Sequence, residues 1–128
     1  MTIDAATSEN VVGEDWSTIL DICDMVDVAG TTGARECVLA IAKRLPHRNP
    51  NVVLRALSLT EALVKNTGRD VQREIASRPF TEVLVKVLQA PDTNGRVKQK
   101  IVSLIAHCTD AYASDPLLGY MRDVRDRL

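Results

Sequence analysis

Asp21, Asp24 and Asp27 recur at every third residue, and carboxylates at such spacing are tools for acid–base or metal chemistry. On a helix they point to the outward faces, which is the pattern of a solvated surface. His47 follows a proline in a loop, and His107 adjoins Cys108. Neighbours on a helix diverge, so His107 and Cys108 form no ligand pair. Zinc asks for four ligands at known spacings, which the chain lacks. "GTTGAR" (30–35) sets two glycines before a helix, where an anion is physically possible. It lacks the lysine and the spacing of a phosphate loop, so it reads as a plain turn. These residues argue against an enzyme and call for no metal or cofactor.

Two further groups carry charge or apolar surface. Arg96, Lys98 and Lys100, with a C-terminal Arg122, Arg125 and Arg127, are candidates for lipid phosphates. Asp123 and Asp126 interleave with the last three and weaken their field. The other group is in "EDWSTILDICDMV" (14–26), which holds the chain's one tryptophan. On a helical wheel Ile19, Ile22, Cys23 and Val26 define the buried stripe, with Trp16 beside it and Leu20 further round, next to Asp24 and Asp27. Trp16 and Leu20 are four residues apart and share a face. The apolar area is wider than one packing partner requires. It reads either as the closed end of the core or as an exposed aromatic–aliphatic pair flanked by acids, the material of binding hot spots.

The elements that position these residues are helical throughout. Apolar residues make up 45% of the 128, enough for one domain with a real core. Sixteen basic and seventeen acidic residues nearly cancel, so no global field draws the chain to nucleic acid or anionic lipid. The three cysteines, odd in number and without paired spacing, read as buried reduced thiols of a cytosolic protein. No apolar run approaches the roughly 18 residues of a membrane span. Punctuation predicts helices over 2–9, 15–28, 34–45, 49–66, 70–76, 80–89, 95–113 and 117–128. Asn49-Pro50 supplies a cap and a first-turn proline, and Gly68 is expected as a left-handed cap. The helix at 49–66 is apolar around most of its circumference, so others must pack around it. The expected result is an all-α stack of helical hairpins with a central spine.

In this order the segments resemble a VHS domain, most closely that of the signal-transducing adaptors and their fungal counterpart in the early endosomal sorting (ESCRT) complex. "AATSE", "EDWSTILDICDMV", "GARECVLAIAKRL", "NPNVVLRALSLTEALVKNTG", "REIASRPF" and "SDPLLGYM" carry the likeness over essentially the whole chain. The resemblance implies a right-handed superhelix of about eight helices, with residues 1–128 forming the VHS domain of a longer adaptor. It implies binding of ubiquitin and ubiquitinated membrane cargo on the way to the multivesicular body or vacuole, with no catalysis. Partner subunits of the early ESCRT complex would join through regions outside this chain. Peripheral contact with the endosome membrane or a phosphoinositide is a further expectation; nucleic acid is not.

The ubiquitin surface implied by the resemblance uses Trp16 and Leu20. Asp24, Asp27 and Glu61 would meet ubiquitin's basic rim, and Ser58, Ala62 and Lys65 would share the exposed side of the fourth helix. Where Cys108 stands, the subgroup often has a tryptophan. A different subgroup reads acidic dileucine peptides between its sixth and eighth helices. Lys86, Lys98 and Lys100 are the candidates here for that alternative.

Overall fold

The computed structural model describes residues 16–111 together with Val124 and Asp126; side chains are described from Leu20 to Thr109 and at those two. Five α-helices occupy the described residues: α1 (Trp16–Arg44), α2 (Pro50–Asn66), α3 (Arg69–Ile75), α4 (Arg78–Gln89) and α5 (Gly95–Ala111). Val124 and Asp126 are also helical.

The all-α expectation holds, but that of about eight helices is corrected to five among the described residues. The helices expected over 15–28 and 34–45 are both present within α1, as two helical segments that meet at a kink at Gly30 (φ 70°, ψ −150°) with no loop between them. Small, turn-favouring residues at 29–33 suggest a loop, yet only one of them leaves helical geometry. The segments at 2–9 and 117–128 lie outside the described residues, Val124 and Asp126 apart.

Local chemistry sets most boundaries. Asn49 caps α2 by accepting a hydrogen bond from the Asn51 amide (2.9 Å), and Pro50 stands in the first turn, where a missing N–H costs nothing. Thr67 closes the other end, its amide donating to the Leu63 carbonyl at 3.0 Å. Gly68 is extended rather than left-handed (φ −83°, ψ −168°) and serves as the N-cap of α3. Asn94 caps α5, its side chain accepting from the Arg96 amide at 2.8 Å.

Helix α2 is the spine. Buried residues occur on every side of it, from Val52 to Val64. Leu57, Leu59 and Leu63 are almost wholly enclosed, and Ala56, Ser58, Thr60 and Ala62 are small enough to let neighbouring helices approach closely. The Thr60 hydroxyl donates to the Ala56 carbonyl (2.8 Å), which satisfies a buried polar group within the helix. Helix α1 packs mainly on α2 and α3, and α5 mainly on α2. α1 contributes Ile22, Cys23, Val26, Ala34, Val38 and Ile41 to the core. α5 contributes Val97, Ile101, Leu104, Ile105 and Cys108, a stripe at helical spacing. Cys108 is fully buried, so a thiol fills the position where the adaptors often place an indole.

The bend at Gly30 orients the first half of α1. Its φ and ψ lie in a region open essentially to glycine alone. Gly30→Ala therefore lowers stability by about 1–3 kcal/mol. Gly68→Ala, where a Cβ would meet only Asp27 Oδ1 at 3.8 Å, stays within about 0.5 kcal/mol of the parent. Urea midpoints of the two variants check this; a larger loss at Gly68 would contradict it.

Candidate functional site

The first half of α1 buries Ile22, Cys23 and Val26 on α2 and α3 and turns the opposite face to water. That face holds the acids Asp21, Asp24 and Asp27, all exposed. Between them stand apolar side chains: Leu20 is 46% exposed, Met25 56% and Val28 90%. Leu20, Asp24 and Val28 follow at intervals of four and form one stripe. Trp16 is the first residue of α1, one turn before Leu20. The expectation of an exposed indole lies outside the described side chains.

Asp27 has a structural task besides. Its Oδ1 accepts a hydrogen bond from the Gly68 amide at 3.0 Å, tying α1 to the junction between α2 and α3 across 41 residues. Gly68 is extended, so its N–H points at a partner instead of closing α2. Local pattern offered no signal for this bond.

On α2 the expected exposed side is corrected. Ser58 is 5% and Ala62 3% exposed, since helices pack around α2 on several sides. Lys65 is exposed and Glu61 half-buried. Glu61 is engaged on both oxygens, with Lys65 Nζ at 2.9 Å from Oε1 and Lys100 Nζ at 3.3 Å from Oε2. The Lys65 hydrogen bond is the main cause that holds its carboxyl below the ordinary 4.5, with Lys100 adding to it against the cost of burial. Glu61 thus links α2 to α5, and Lys100, a candidate for acidic peptides, is the partner of that link. Of the other lysines named for such peptides, Lys86 on α4 is exposed and Lys98 on α5 half-buried. Arg122, Arg125 and Arg127 lie outside the described residues.

Among the described residues, no group of three or more His, Cys, Asp or Glu could hold a metal ion. His47 Nδ1 accepts from the Asn49 amide at 3.0 Å, steadying the loop before α2. His107 is exposed. The thiols of Cys23, Cys37 and Cys108 are buried. Burial, then Asp24 and Asp27, push Cys23 up to about 11. Burial, then Cys23, push Cys37 to about 11 as well. Neither presents a thiolate at neutral pH. No described helix is long and apolar enough to cross a membrane.

A helical spine, α2, enclosed by α1, α3 and α5, with an apolar–acidic outer face on α1, defines an all-α helical-stack domain. The family model for the VHS domain matches residues 1–128, and the chain belongs to that family. It is 42% identical over 126 residues to the class E vacuolar protein-sorting machinery protein HSE1 of Chaetomium globosum, covering 98% of this chain and 18% of that protein. It is 44% identical over 116 residues to the protein of the same name from Emericella nidulans, covering 91% and 20%. The chain thus spans about a fifth of the length of these relatives. Among solved structures, the VHS and FYVE tandem domains of HRS, a protein involved in membrane trafficking and signal transduction, superpose with a TM-score of 0.87. That match has 27% identity and covers 98% of this chain and 57% of the other. An ENTH-VHS domain from Arabidopsis thaliana, at a TM-score of 0.66 and 21% identity, shares the fold.

Two outcomes follow from this chemistry. Glu61 has a depressed pKa in the folded chain, so its stabilisation is complete above its ordinary 4.5 and is lost as pH falls through the folded value. Solvent screens the pair, so Glu61→Gln costs about 1 kcal/mol or less at pH 7, and parent and variant converge once pH has fallen below the folded value in urea titrations. A gap that stays constant through that fall would contradict the assignment. The thiols make the second case. Iodoacetamide at pH 8 labels all three cysteines in denaturant and leaves the native chain unmodified over the same time. Rapid native labelling of Cys23 or Cys37 would show that their sites are open.

Proposed function

We propose that this domain is a non-catalytic ubiquitin-binding module that docks ubiquitin on the outer face of α1. The observation that carries the reading is Leu20, 46% exposed between exposed acids and one turn from Trp16. Ubiquitin offers an apolar patch rimmed by basic groups. Trp16 and Leu20 cover the apolar part, and Asp24 meets the rim, with Asp27 contributing charge while its Oδ1 holds Gly68. Lys65 and the outer edge of Glu61 border the surface from α2. Ser58 and Ala62 act from beneath as packing, since both are buried.

The relatives' names support the setting, since they belong to vacuolar protein-sorting machinery. In this reading residues 1–128 form the VHS domain of a longer adaptor that sits in the cytoplasm, peripheral to endosomes, and retains ubiquitinated cargo. Its early-ESCRT partner subunits bind regions outside this chain. A patch of this size buries less than about 1,200 Å² in total and binds weakly. Working strength then comes from several ubiquitin-binding modules acting together.

Calorimetric titration with ubiquitin tests the reading. Trp16→Ala and Leu20→Ala each weaken binding by about 2 kcal/mol, close to thirtyfold. Leu20→Ala changes folding stability by about 0.5 kcal/mol or less. Binding that survives both substitutions would remove α1 as the docking face.

A further inference from the structure

A second surface lies where α5 meets α2, next to the Glu61–Lys100 link. Between α2 and α5 is an open cavity of about 320 Å³ lined by Leu54, Ser58, Arg96, Gln99, Lys100 and Ser103. The α5 members stand at i, i+3, i+4 and i+7 and so share one face. Leu54 and Ser58 form the facing stripe of α2, and Glu61 continues it toward Lys65. A shallower depression on the outer side of α5 adjoins the cavity, lined by Lys98, Gln99, Val102 and Ser103. Val102 is 46% exposed there.

The charge of this groove is unbalanced. Glu61 is one carboxylate shared by Lys65 and Lys100, and no described carboxylate lies within ion-pair distance of Arg96. Of the two cations that line the cavity, Arg96 and Lys100, Glu61 pairs with Lys100, so among the described residues the lining keeps a net positive charge at Arg96. The stretch Gly95–Thr109 contains no acidic residue. Gln99 and Ser103 add neutral hydrogen-bonding groups at the wall.

We propose that this groove binds a phosphorylated segment of a partner protein, its phosphate monoester seated between Arg96 and Lys100. A phosphate monoester carries about −1.5 to −2 charge at neutral pH, enough to engage Arg96 and to compete with Glu61 for Lys100, which a single carboxylate does less well. The Arg96 guanidinium offers a planar fork to phosphate oxygens, and Lys100 a point charge. The exposed Val102 and the cavity wall at Leu54 accept an apolar side chain next to the phosphorylated residue. A peptide fits this setting better than a membrane. The donors line a concavity between two helices, which an extended chain enters and a flat lipid surface reaches poorly. The groove meets the proposed ubiquitin face at Glu61 and Lys65, but its test is read at Arg96, Gln99, Lys100 and Ser103 and does not depend on that reading.

The probe is N-acetyl-O-phosphoserine amide, titrated into the isotopically labelled chain and followed by amide chemical shifts. Shifts centred on Arg96, Gln99, Lys100 and Ser103 that shrink with added salt support the site. Arg96→Glu, a change at an exposed position, weakens them about tenfold or more, as loss of a charge-assisted bond requires. Two controls can overturn the proposal. Equal shifts with N-acetyl-serine amide or N-acetyl-aspartate amide would show that phosphate is not what is read. Shifts seen only with phosphatidylcholine vesicles containing a phosphatidylinositol phosphate, and absent with the phosphoserine probe, would assign the groove to a membrane.

Discussion

Enclosure of α2 governs the rest of this structure. A helix with buried residues on every side cannot offer a broad face to a partner. It must be wrapped, and α1, α3 and α5 do the wrapping. Each wrapping helix then has one face spent on the spine and one left for water. The apparent paradox of a domain with a rich apolar composition and no reactive cluster among its described residues resolves at this point. Its inner faces build the scaffold, and its outer faces carry whatever recognition it performs.

The outer faces differ in sign. On α1 three aspartates alternate with exposed Leu20, Met25 and Val28, an acidic surface with apolar relief. On α5 the outer side brings exposed Arg96 and half-buried Lys98 and Lys100. Nearly equal totals of basic and acidic residues therefore conceal two local fields of opposite character. Two bonds of long sequence separation hold these surfaces in register with the spine. Asp27 fastens α1 to Gly68, and Glu61 fastens α5 to α2 through Lys100. Each draws on a charged group that sequence patterning alone assigns to a binding surface.

Much of the scaffold was legible in the residues themselves. Circumferential apolar residues marked α2 as central, and Asn49-Pro50 marked its start, because both signals are local. Ile22, Cys23 and Val26 were readable as the buried stripe for the same reason. What was not legible depended on distant contacts. Gly68 looked like a left-handed cap because nothing nearby reveals that its amide reaches Asp27. Ser58 and Ala62 looked exposed on a wheel because small residues serve equally at a wet surface and at a helix contact; packing around α2 decides which. The break at Gly30 was visible as composition, yet its extent, one residue instead of a loop, follows from how well the flanking threonines tolerate helix when both sides are packed. The wheel set Leu20 away from the buried stripe, next to Asp24, and Leu20 is half exposed there.

Hydrogen exchange with and without ubiquitin tests this account most directly, because one data set reports both the spine and the face. The slowest amides of the unbound chain should lie in α2, between Val53 and Val64, opening only with global unfolding. Added ubiquitin should increase protection over the first half of α1, around Leu20 and Asp24, and leave α4 unchanged. Fast local exchange within α2, or protection gained on α4 with α1 unaffected, would contradict it.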